Sequence, residues 1–176
     1  GRTKLLWLET PANPMWTVSD IAACADLAHR AGAHLAVDST VATPVFTRPL
    51  ALGADLVMHS ATKYLNGHSD VVVGVLCAGK EMVRKIFESE LMTLGGILSP
   101  HDAALVLRGL RTLPLRLKRI DESARILISR LEAHPKVERI WYPFHDSFPQ
   151  RELAMRQMRS GSACPPRPHA PKPDTH

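Results

Sequence analysis

A lysine that follows two hydroxyl residues is the part of this 176-residue chain best suited to chemistry. Lys63 comes after Ser60 and Thr62, just beyond a short apolar run. Hydroxyl groups donate hydrogen bonds to phosphate oxygens. A lysine next to a bound phosphate acts either as an anion clamp or as the amine that forms a Schiff base with a phosphorylated aldehyde, as in pyridoxal phosphate enzymes. Residue types and spacing leave three interpretations open: an anion clamp, a Schiff-base amine or an ordinary surface lysine.

An acidic residue stands at the end of an earlier apolar run. Asp38 follows the run at residues 35–37, and a carboxylate that pairs with the ring nitrogen of pyridoxal phosphate keeps the ring protonated as an electron sink. Aspartate at such a place is also a common turn or cap residue. In open parallel sheets, ligands bind outside the carboxyl ends of the strands. If the two strands are neighbours, Asp38 and Lys63 therefore face one crevice, with Glu9 at a third strand end.

Short apolar runs alternate with helical periodicity over the first part of the chain. The predicted strands are residues 5–8, 35–37, 56–58 and 71–78. The predicted helices are residues 18–31, 81–93, 100 onward and about 114–133, with a single helical turn at 49–53. This alternation is typical of an α/β domain with a mostly parallel sheet. It ceases after Gly79, and a later strand predicted at 137–142 indicates the beginning of a second, smaller domain.

Composition fits a globular domain and excludes several classes of protein. Hydrophobic residues are 45% of the chain and charged residues 22%, which excludes a disordered chain. The net charge of +5 comes from scattered basic residues, so no nucleic-acid partner is expected. The one basic run, residues 108–119, alternates with leucine at helical spacing and predicts a solvated helix face. No apolar stretch is long enough for a membrane span, so no membrane partner is expected.

Cysteine and histidine usage argues against a disulfide framework and against a metal centre. The three cysteines form no CxxC pair, which fits a reducing, cytoplasmic setting. The nine histidines include no HExxH and no close pair on one predicted helix face, so no metal site is predicted. His59 and His68 flank the lysine and are the histidines nearest the candidate site.

Several segments resemble one known family closely. The strongest three are Glu9-Thr-Pro-Ala-Asn-Pro14, Asp38-Ser-Thr-Val-Ala-Thr-Pro44 and Ser60-Ala-Thr-Lys-Tyr-Leu-Asn-Gly-His-Ser-Asp70. Together with residues 98–113 and 131–137, they resemble the Cys/Met-metabolism family of pyridoxal phosphate enzymes. That family includes cystathionine γ-synthase, cystathionine γ-lyase, methionine γ-lyase and O-acylhomoserine sulfhydrylase. The resemblance covers residues 3 to about 158.

The resemblance implies a role for each residue around the lysine. Lys63 would be the catalytic residue, forming the internal aldimine with pyridoxal 5′-phosphate and then shuttling protons. Asp38 would pair with the pyridinium nitrogen, with support from Thr40. Ser60 and Thr62 would bind the phosphate.

The same resemblance places Asn13 near the ring hydroxyl and implies the fold and the reaction. The implied fold is a type I, aspartate-aminotransferase-like large domain at residues 1–113, followed by the start of a smaller α/β domain at 114–158. The implied function is elimination or γ-replacement on cystathionine, methionine or O-acylhomoserine. The implied assembly is a homo-oligomer, a dimer or tetramer, whose active sites are completed across the dimer interface.

Parts of the family pattern have no counterpart in the chain. The tyrosine that stacks on the ring, a glycine-containing phosphate loop and residues lent by the partner subunit do not fit into the eight residues before Glu9. The arginine that binds the substrate carboxylate belongs downstream, where residues 159–176 become proline-rich and are predicted to be disordered. We therefore interpret the chain as the central fragment of such an enzyme, with a change of reading frame after Met158 as a hypothesis.

Two alternatives stay open at this point. One is a non-catalytic remnant that keeps the pyridoxal phosphate lysine and only oligomerises. The other is an unrelated α/β domain that uses Lys63 as an anion clamp.

Overall fold

A four-stranded sheet forms the centre of the computed structural model, which describes residues 2–159. The strands lie in the order β1-β2-β3-β4 and are Leu5–Glu9, His34–Asp38, Leu56–Ser60 and Gly74–Ala78. β1 pairs with β2, and β2 with β3, in parallel, whereas β4 runs antiparallel to β3. The predicted α/β fold with a mostly parallel sheet is confirmed. β4 begins at Gly74 rather than at residue 71, because the backbone of Val73 bonds to Thr62 instead.

Helices connect the strands and then make up most of the second half of the described chain. They are α1 (Ile21–Arg30), α2 (Thr43–Phe46), a 3-10 turn (Pro49–Leu52), α3 (Lys80–Ile86), a π-helical turn (Phe87–Leu91), α4 (Met92–Leu94), α5 (Pro100–Leu110), α6 (Leu113–Glu132) and α7 (Arg151–Gln157). α5 and α6 match the two later helices predicted from the sequence. The predicted helix at 81–93 is α3, the π-helical turn and α4 in succession.

One face of the sheet packs against α1. The helix begins after Asp20, whose carboxylate accepts a hydrogen bond from the Ala23 N–H group at 3.0 Å. Its apolar residues recur at helical spacing and meet the strands in one hydrophobic cluster. The buried members of this cluster are Ile21, Ala25, Ala28, Ala33, Leu35, Val37, Ala54 and Val57. The packing fixes β2 and β3 beneath the helix, and so fixes the strand ends that carry Asp38 and Ser60.

The carboxyl ends of three strands meet at one edge of the sheet. Glu9 pairs with Asp38 across β1 and β2, and Ser60 pairs with Gly74 across β3 and β4. Asp38 lies opposite Met58, so β3 extends beyond β2 at this edge. The prediction that the strands of Asp38 and Ser60 are neighbours is confirmed.

The chain after α6 returns to pack against residues near the amino terminus. Ala154 of α7 and Met158 form a second hydrophobic cluster with Val18 and Phe148. The Gln150 side-chain amide accepts a hydrogen bond from the Val18 N–H group at 2.9 Å and donates one to the Val18 carbonyl at 2.6 Å. The last described residues are therefore held by the first part of the chain. The division into domains at residue 114 stays a prediction.

The strand predicted at 137–142 is wrong, because the structure has an irregular segment there. Within residues 2–159 no strand lies beside it, and an unpaired strand would leave its backbone hydrogen-bonding groups unused. Tyr142 anchors the segment to α6 instead, since its hydroxyl donates to Asp121 Oδ1 at 3.3 Å. Burial, together with the charge of Asp121, raises the pKa of Tyr142 to about 12.

Residues 2–159 contain no helix that combines the length and the apolar character needed to cross a membrane. In the same range, no three His, Cys, Asp or Glu side chains group so that they could hold a metal ion. Of the tail predicted to be disordered, residues 160–176 lie outside the described residues.

Candidate active site

A cavity of about 1320 Å³ opens at the edge where the three strand ends meet. Its walls include all six residues predicted from the sequence: Asn13, Asp38, Thr40, Ser60, Thr62 and Lys63. Glu9 and Tyr64 also line it, together with Arg116 and Arg119 from the first turns of α6. The sheet edge therefore supplies one wall, and the beginning of α6 supplies another.

Thr40 joins the ends of β2 and β3 through hydrogen bonds on both sides of its hydroxyl. The hydroxyl donates to Asp38 Oδ1 at 2.5 Å and accepts from the Ser60 N–H group at 2.7 Å. The Thr40 backbone N–H group also donates to Asp38 Oδ1, at 2.9 Å. Two donors therefore fix one carboxylate oxygen of Asp38. The other, Oδ2, has no hydrogen-bond partner in the described part of the chain, and the side chain lines the cavity.

Lys63 belongs to a compact turn after β3, which we call the lysine turn and define as residues 60–70. Its N–H group donates to the Ser60 carbonyl at 3.0 Å, and its carbonyl accepts from the Gly67 N–H group at 2.8 Å. The Asn66 N–H group donates to the Ala61 carbonyl at 2.9 Å. Gly67 has a positive φ of 73°, a conformation that a side chain disfavours. The Lys63 backbone is thus held from both sides, while the residue itself is exposed.

The two hydroxyl groups before Lys63 differ in how free they are. Thr62 Oγ1 accepts a hydrogen bond from the Val73 N–H group at 2.8 Å and donates to the Val73 carbonyl at 3.3 Å. The Ser60 hydroxyl has no hydrogen-bond partner within residues 2–159. Ser60 is therefore free to donate to a ligand, whereas Thr62 has to exchange its longer bond to Val73 for one to the ligand.

Asn13 lines the cavity from the loop after β1. Its backbone N–H group donates to Glu9 Oε1 at 3.3 Å, so the carboxylate at the end of β1 helps to hold this loop. Asn13 is exposed, which leaves its side-chain amide accessible to a ligand in the cavity.

Neither His59, which precedes the lysine turn, nor His68, which lies within it, lines the cavity. His59 is buried, and its Nδ1 donates to the Ser39 carbonyl at 3.1 Å. Burial lowers the pKa of His59 below the ordinary value of 6.5, so the ring is neutral at pH 7. His68 Nδ1 lies 2.7 Å from the Asn66 carbonyl oxygen. Both rings therefore contact the backbone around the site rather than the space inside it.

The interpretation of the basic run at 108–119 as a solvated helix face is wrong at Arg116, which is half-buried, whereas Arg108 is exposed as predicted and also forms an ion pair. Arg108 donates to Asp70 Oδ2 at 2.8 Å. Arg116 donates to the Tyr64 carbonyl at 2.7 Å, directly after Lys63. The two arginines belong to α5 and α6, and both reach back to the lysine turn.

A signal for Arg116 was present in the sequence. It stands at i+3 from Leu113 and next to Leu117, both of which are buried. Residues three apart share a helix face, so Arg116 lies on the side of α6 that packs. What the spacing does not show is which part of the fold covers that side.

Nearly the whole length of this chain matches a known protein family. Residues 1–164 match the family described as Cys/Met metabolism PLP-dependent enzyme. The chain is 48% identical over 158 residues to the cystathionine gamma-lyase of Dictyostelium discoideum. It is 47% identical over 157 residues to the L-methionine gamma-lyase of Pseudomonas putida. The fold matches the crystal structure of an apo methionine gamma lyase from Micromonospora echinospora with a TM-score of 0.84 and 39% sequence identity.

The chain spans about two fifths of the length of these relatives. The matched region is 90% of this chain but 41% of the Dictyostelium protein, and 89% of this chain but 39% of the Pseudomonas protein. For the Micromonospora structure the values are 89% and 43%.

Proposed function

This chain belongs to the Cys/Met-metabolism family of PLP-dependent enzymes, and from that premise we propose that the cavity at the sheet edge is its pyridoxal 5′-phosphate site. The observation that carries the proposal is the meeting of Lys63 and Asp38 in one cavity, although they follow different strands. An amine and a carboxylate are the groups that the cofactor's aldehyde and ring nitrogen require. When bound, the cofactor supplies an electron sink for a carbanion on an amino-acid substrate.

The hydrogen bonds of the strand ends suit this ligand. Asp38 uses Oδ1 for Thr40 and keeps Oδ2 for the N–H group of a protonated ring. The Ser60 hydroxyl is available to donate to a phosphate oxygen, and Thr62 joins it by giving up its 3.3 Å bond. Asn13 offers its amide on the side of the loop after β1. The residues present therefore fit the group in donors, acceptors and charge.

Lys63 is the residue that we propose to bind the cofactor and to move protons. Its backbone is fixed by hydrogen bonds on both sides, while its exposed side chain lines the cavity. A primary amine in this position can accept a proton from a substrate carbon in one step and return it to another atom later. The fixed backbone limits the volume that Nζ explores, which raises the fraction of time spent within reach of the substrate.

We propose that the whole protein acts on sulfur amino acids by elimination or γ-replacement. The support comes from the relatives, whose names are cystathionine gamma-lyase and L-methionine gamma-lyase. The proposed substrates are cystathionine, methionine or O-acylhomoserine, each an amino acid with a leaving or exchanging group at its γ position. A second candidate is a non-catalytic remnant that keeps the pyridoxal phosphate lysine and only oligomerises.

Turnover separates these two candidates. The protein is incubated with pyridoxal phosphate and each substrate. Elimination is measured as release of 2-oxo acid and ammonia, with a thiol from cystathionine or methionine and a carboxylic acid from O-acylhomoserine, and γ-replacement is measured as the new thioether formed with an added thiol. The enzyme is expected to lose activity with Lys63→Ala and to keep it with Lys80→Ala, which removes an exposed lysine from α3. Cofactor binding at Lys63 without turnover of any substrate would instead favour the remnant.

We also propose a cytoplasmic setting and a homo-oligomeric state for the whole protein. Cys24 and Cys77 are free thiols, as expected in a reducing compartment. Leu94 and Ile97 are 78% and 77% exposed, and exposed apolar side chains favour association. Sedimentation at several concentrations tests the oligomeric state, and a strictly monomeric protein would contradict it.

A further inference from the structure

Arg116 binds the backbone on both sides of a helix–loop contact. Its Nη1 donates to the Tyr64 carbonyl at 2.7 Å, and its Nη2 donates to the carbonyls of Leu65 at 3.3 Å and Gly109 at 3.0 Å. Its Nε donates to Thr112 Oγ1 at 3.0 Å. All four acceptors are neutral, three of them backbone carbonyls and the fourth the Thr112 hydroxyl, so these contacts are hydrogen bonds and not an ion pair. The planar guanidinium, with five N–H donors in a fixed geometry, suits several carbonyl acceptors at once.

Two glycines make this contact possible. A Cβ atom at Gly67 would lie 2.2 Å from Arg116 Nη1. A Cβ atom at Gly109, within α5, would lie 2.2 Å from the Asn66 carbonyl oxygen. Real Cβ atoms do not approach other atoms so closely. The close approach of α5 and Arg116 to the lysine turn thus depends on glycine at a turn position and at a helix position, independently of the hydrogen bonds.

We propose that Arg116 is a positioning residue for Lys63, an inference that rests on the proposed role of Lys63 in holding the cofactor. Tyr64 and Leu65 directly follow Lys63, so Arg116 fixes the backbone on the carboxyl side of the lysine. The bond from the Lys63 N–H group to Ser60 fixes it on the amino side. The first turn of α6 and the end of β3 together determine where the Lys63 side chain begins.

Hydrogen exchange in the absence of cofactor tests the positioning step by itself. Arg116→Met removes the donors but keeps an unbranched side chain. Exchange of the Asn66 and Gly67 amides, which close the lysine turn, is expected to become at least about tenfold faster, because the loss of even one of the two charged hydrogen bonds from Arg116 to the turn has that effect. The Leu35 and Val37 amides in the sheet are expected to be unchanged. Arg130→Met, at an exposed position near the other end of α6, is the matched control.

Cofactor attachment then tests the consequence for the lysine. The rate at which pyridoxal phosphate and borohydride label Lys63 is expected to fall several-fold in Arg116→Met, to recover in part in Arg116→Lys, and to stay unchanged in Arg130→Met. Partial recovery with lysine separates loss of the donors from loss of bulk, because one ammonium can still reach one carbonyl. A melting temperature alone would not make this distinction.

The two readouts separate this inference from the proposed function. Unchanged exchange at Asn66 and Gly67 in Arg116→Met would overturn the inference, as would faster exchange with an unchanged labelling rate. If exchange is faster in Arg116→Met but wild-type Lys63 takes no label, the proposed function is overturned. The conclusion that Arg116 holds the lysine turn would then still stand. If Arg116→Met does not fold, Thr112→Val removes one acceptor of Arg116 and is expected to act in the same direction, more weakly; no effect there would count against the inference.

Discussion

The lysine turn precedes β4 in the sequence and the helical segment at 80–98 follows it, yet the two regions differ in their burial and in their contacts with the rest of the chain. The turn has a buried core of Ala61, Leu65 and Asn66, and Arg116 binds its backbone from α6. The segment at 80–98 has no buried residue. Its hydrogen bonds are mostly local to the helix; for example, Ser89 Oγ donates to the Lys85 carbonyl and Thr93 Oγ1 to the Ser89 carbonyl.

The difference shows where the precision of the candidate site comes from. A helix satisfies most of its backbone groups through its own repeating hydrogen bonds, so the segment at 80–98 keeps a regular backbone although no residue in it is buried and the contacts of α3 with β4 are few. A turn has no such repeating pattern, and its shape depends on partners elsewhere in the chain. The group proposed for chemistry, Lys63, lies in the region with those partners.

The largest expected contrast is between two leucines. Leu65 is 6% exposed and Leu94 is 78% exposed. Leu65→Ala leaves a cavity under the lysine turn and is expected to lower the free energy of unfolding by about 2–5 kcal/mol. Leu94→Ala is expected to change it by less than about 0.5 kcal/mol. Urea unfolding followed by circular dichroism measures both, and equal losses would remove the distinction between the two regions.

The next contrast is between two glycines. Gly109→Ala directs a methyl group at the Asn66 backbone, which has to move, and about 1–3 kcal/mol of stability is expected to be lost. A Cβ atom at Gly96 would meet nothing within 4 Å, so Gly96→Ala is expected to be neutral or to stabilise by up to about 1 kcal/mol through the unfolded chain. Thermal unfolding of the two variants gives the signs. A stabilised Gly109→Ala protein would show that α5 does not press on the turn.

The smallest expected effect is a dependence on pH from His59. Its folded pKa is lowered by burial, so the unfolded chain takes up the proton more readily. The free energy of unfolding is therefore unaffected by the titration of His59 above the unfolded pKa of 6.5. It falls as the pH drops from 6.5 to the lower pKa of the folded protein, because the unfolded chain binds the proton first. His59→Gln is expected to flatten this part of the profile, and the segment at 80–98 contributes nothing there because it has no histidine. An identical slope in wild type and His59→Gln between pH 7.5 and 5.5 would contradict the assignment.

Local patterns account for what the sequence could predict. Apolar runs located the four strands, a serine followed by proline located the start of α5 at Pro100, and helical periodicity located α6. Polar residues at strand ends located Asp38, Ser60 and Lys63 at the cavity, because parallel strands end at one edge, whereas the role of Asn13 came from the family resemblance. These features depend on neighbours in sequence, and so they are readable without the fold.

The features that the sequence could not predict depend on contacts between residues that are far apart in the chain. The strand expected at 137–142 lacks a partner in the described chain, and no local pattern reports on pairing. The contact between Arg116 and the lysine turn joins residues about fifty positions apart. Arg116 stands three residues after the buried Leu113 and so shares its face of α6, although the alternation of basic residues with leucine indicated a solvated face for the whole run.

The central claim, that Lys63 holds pyridoxal phosphate, is tested most directly by borohydride reduction and peptide mapping. The chain is incubated with the cofactor, reduced, digested and analysed by mass spectrometry. The label is expected on the peptide that contains Lys63, and it is expected to disappear in Lys63→Ala while the exposed Lys80 and Lys85 stay unmodified. A chain that takes no label, or one whose labelling is the same in Lys63→Ala as in wild type, would contradict the claim.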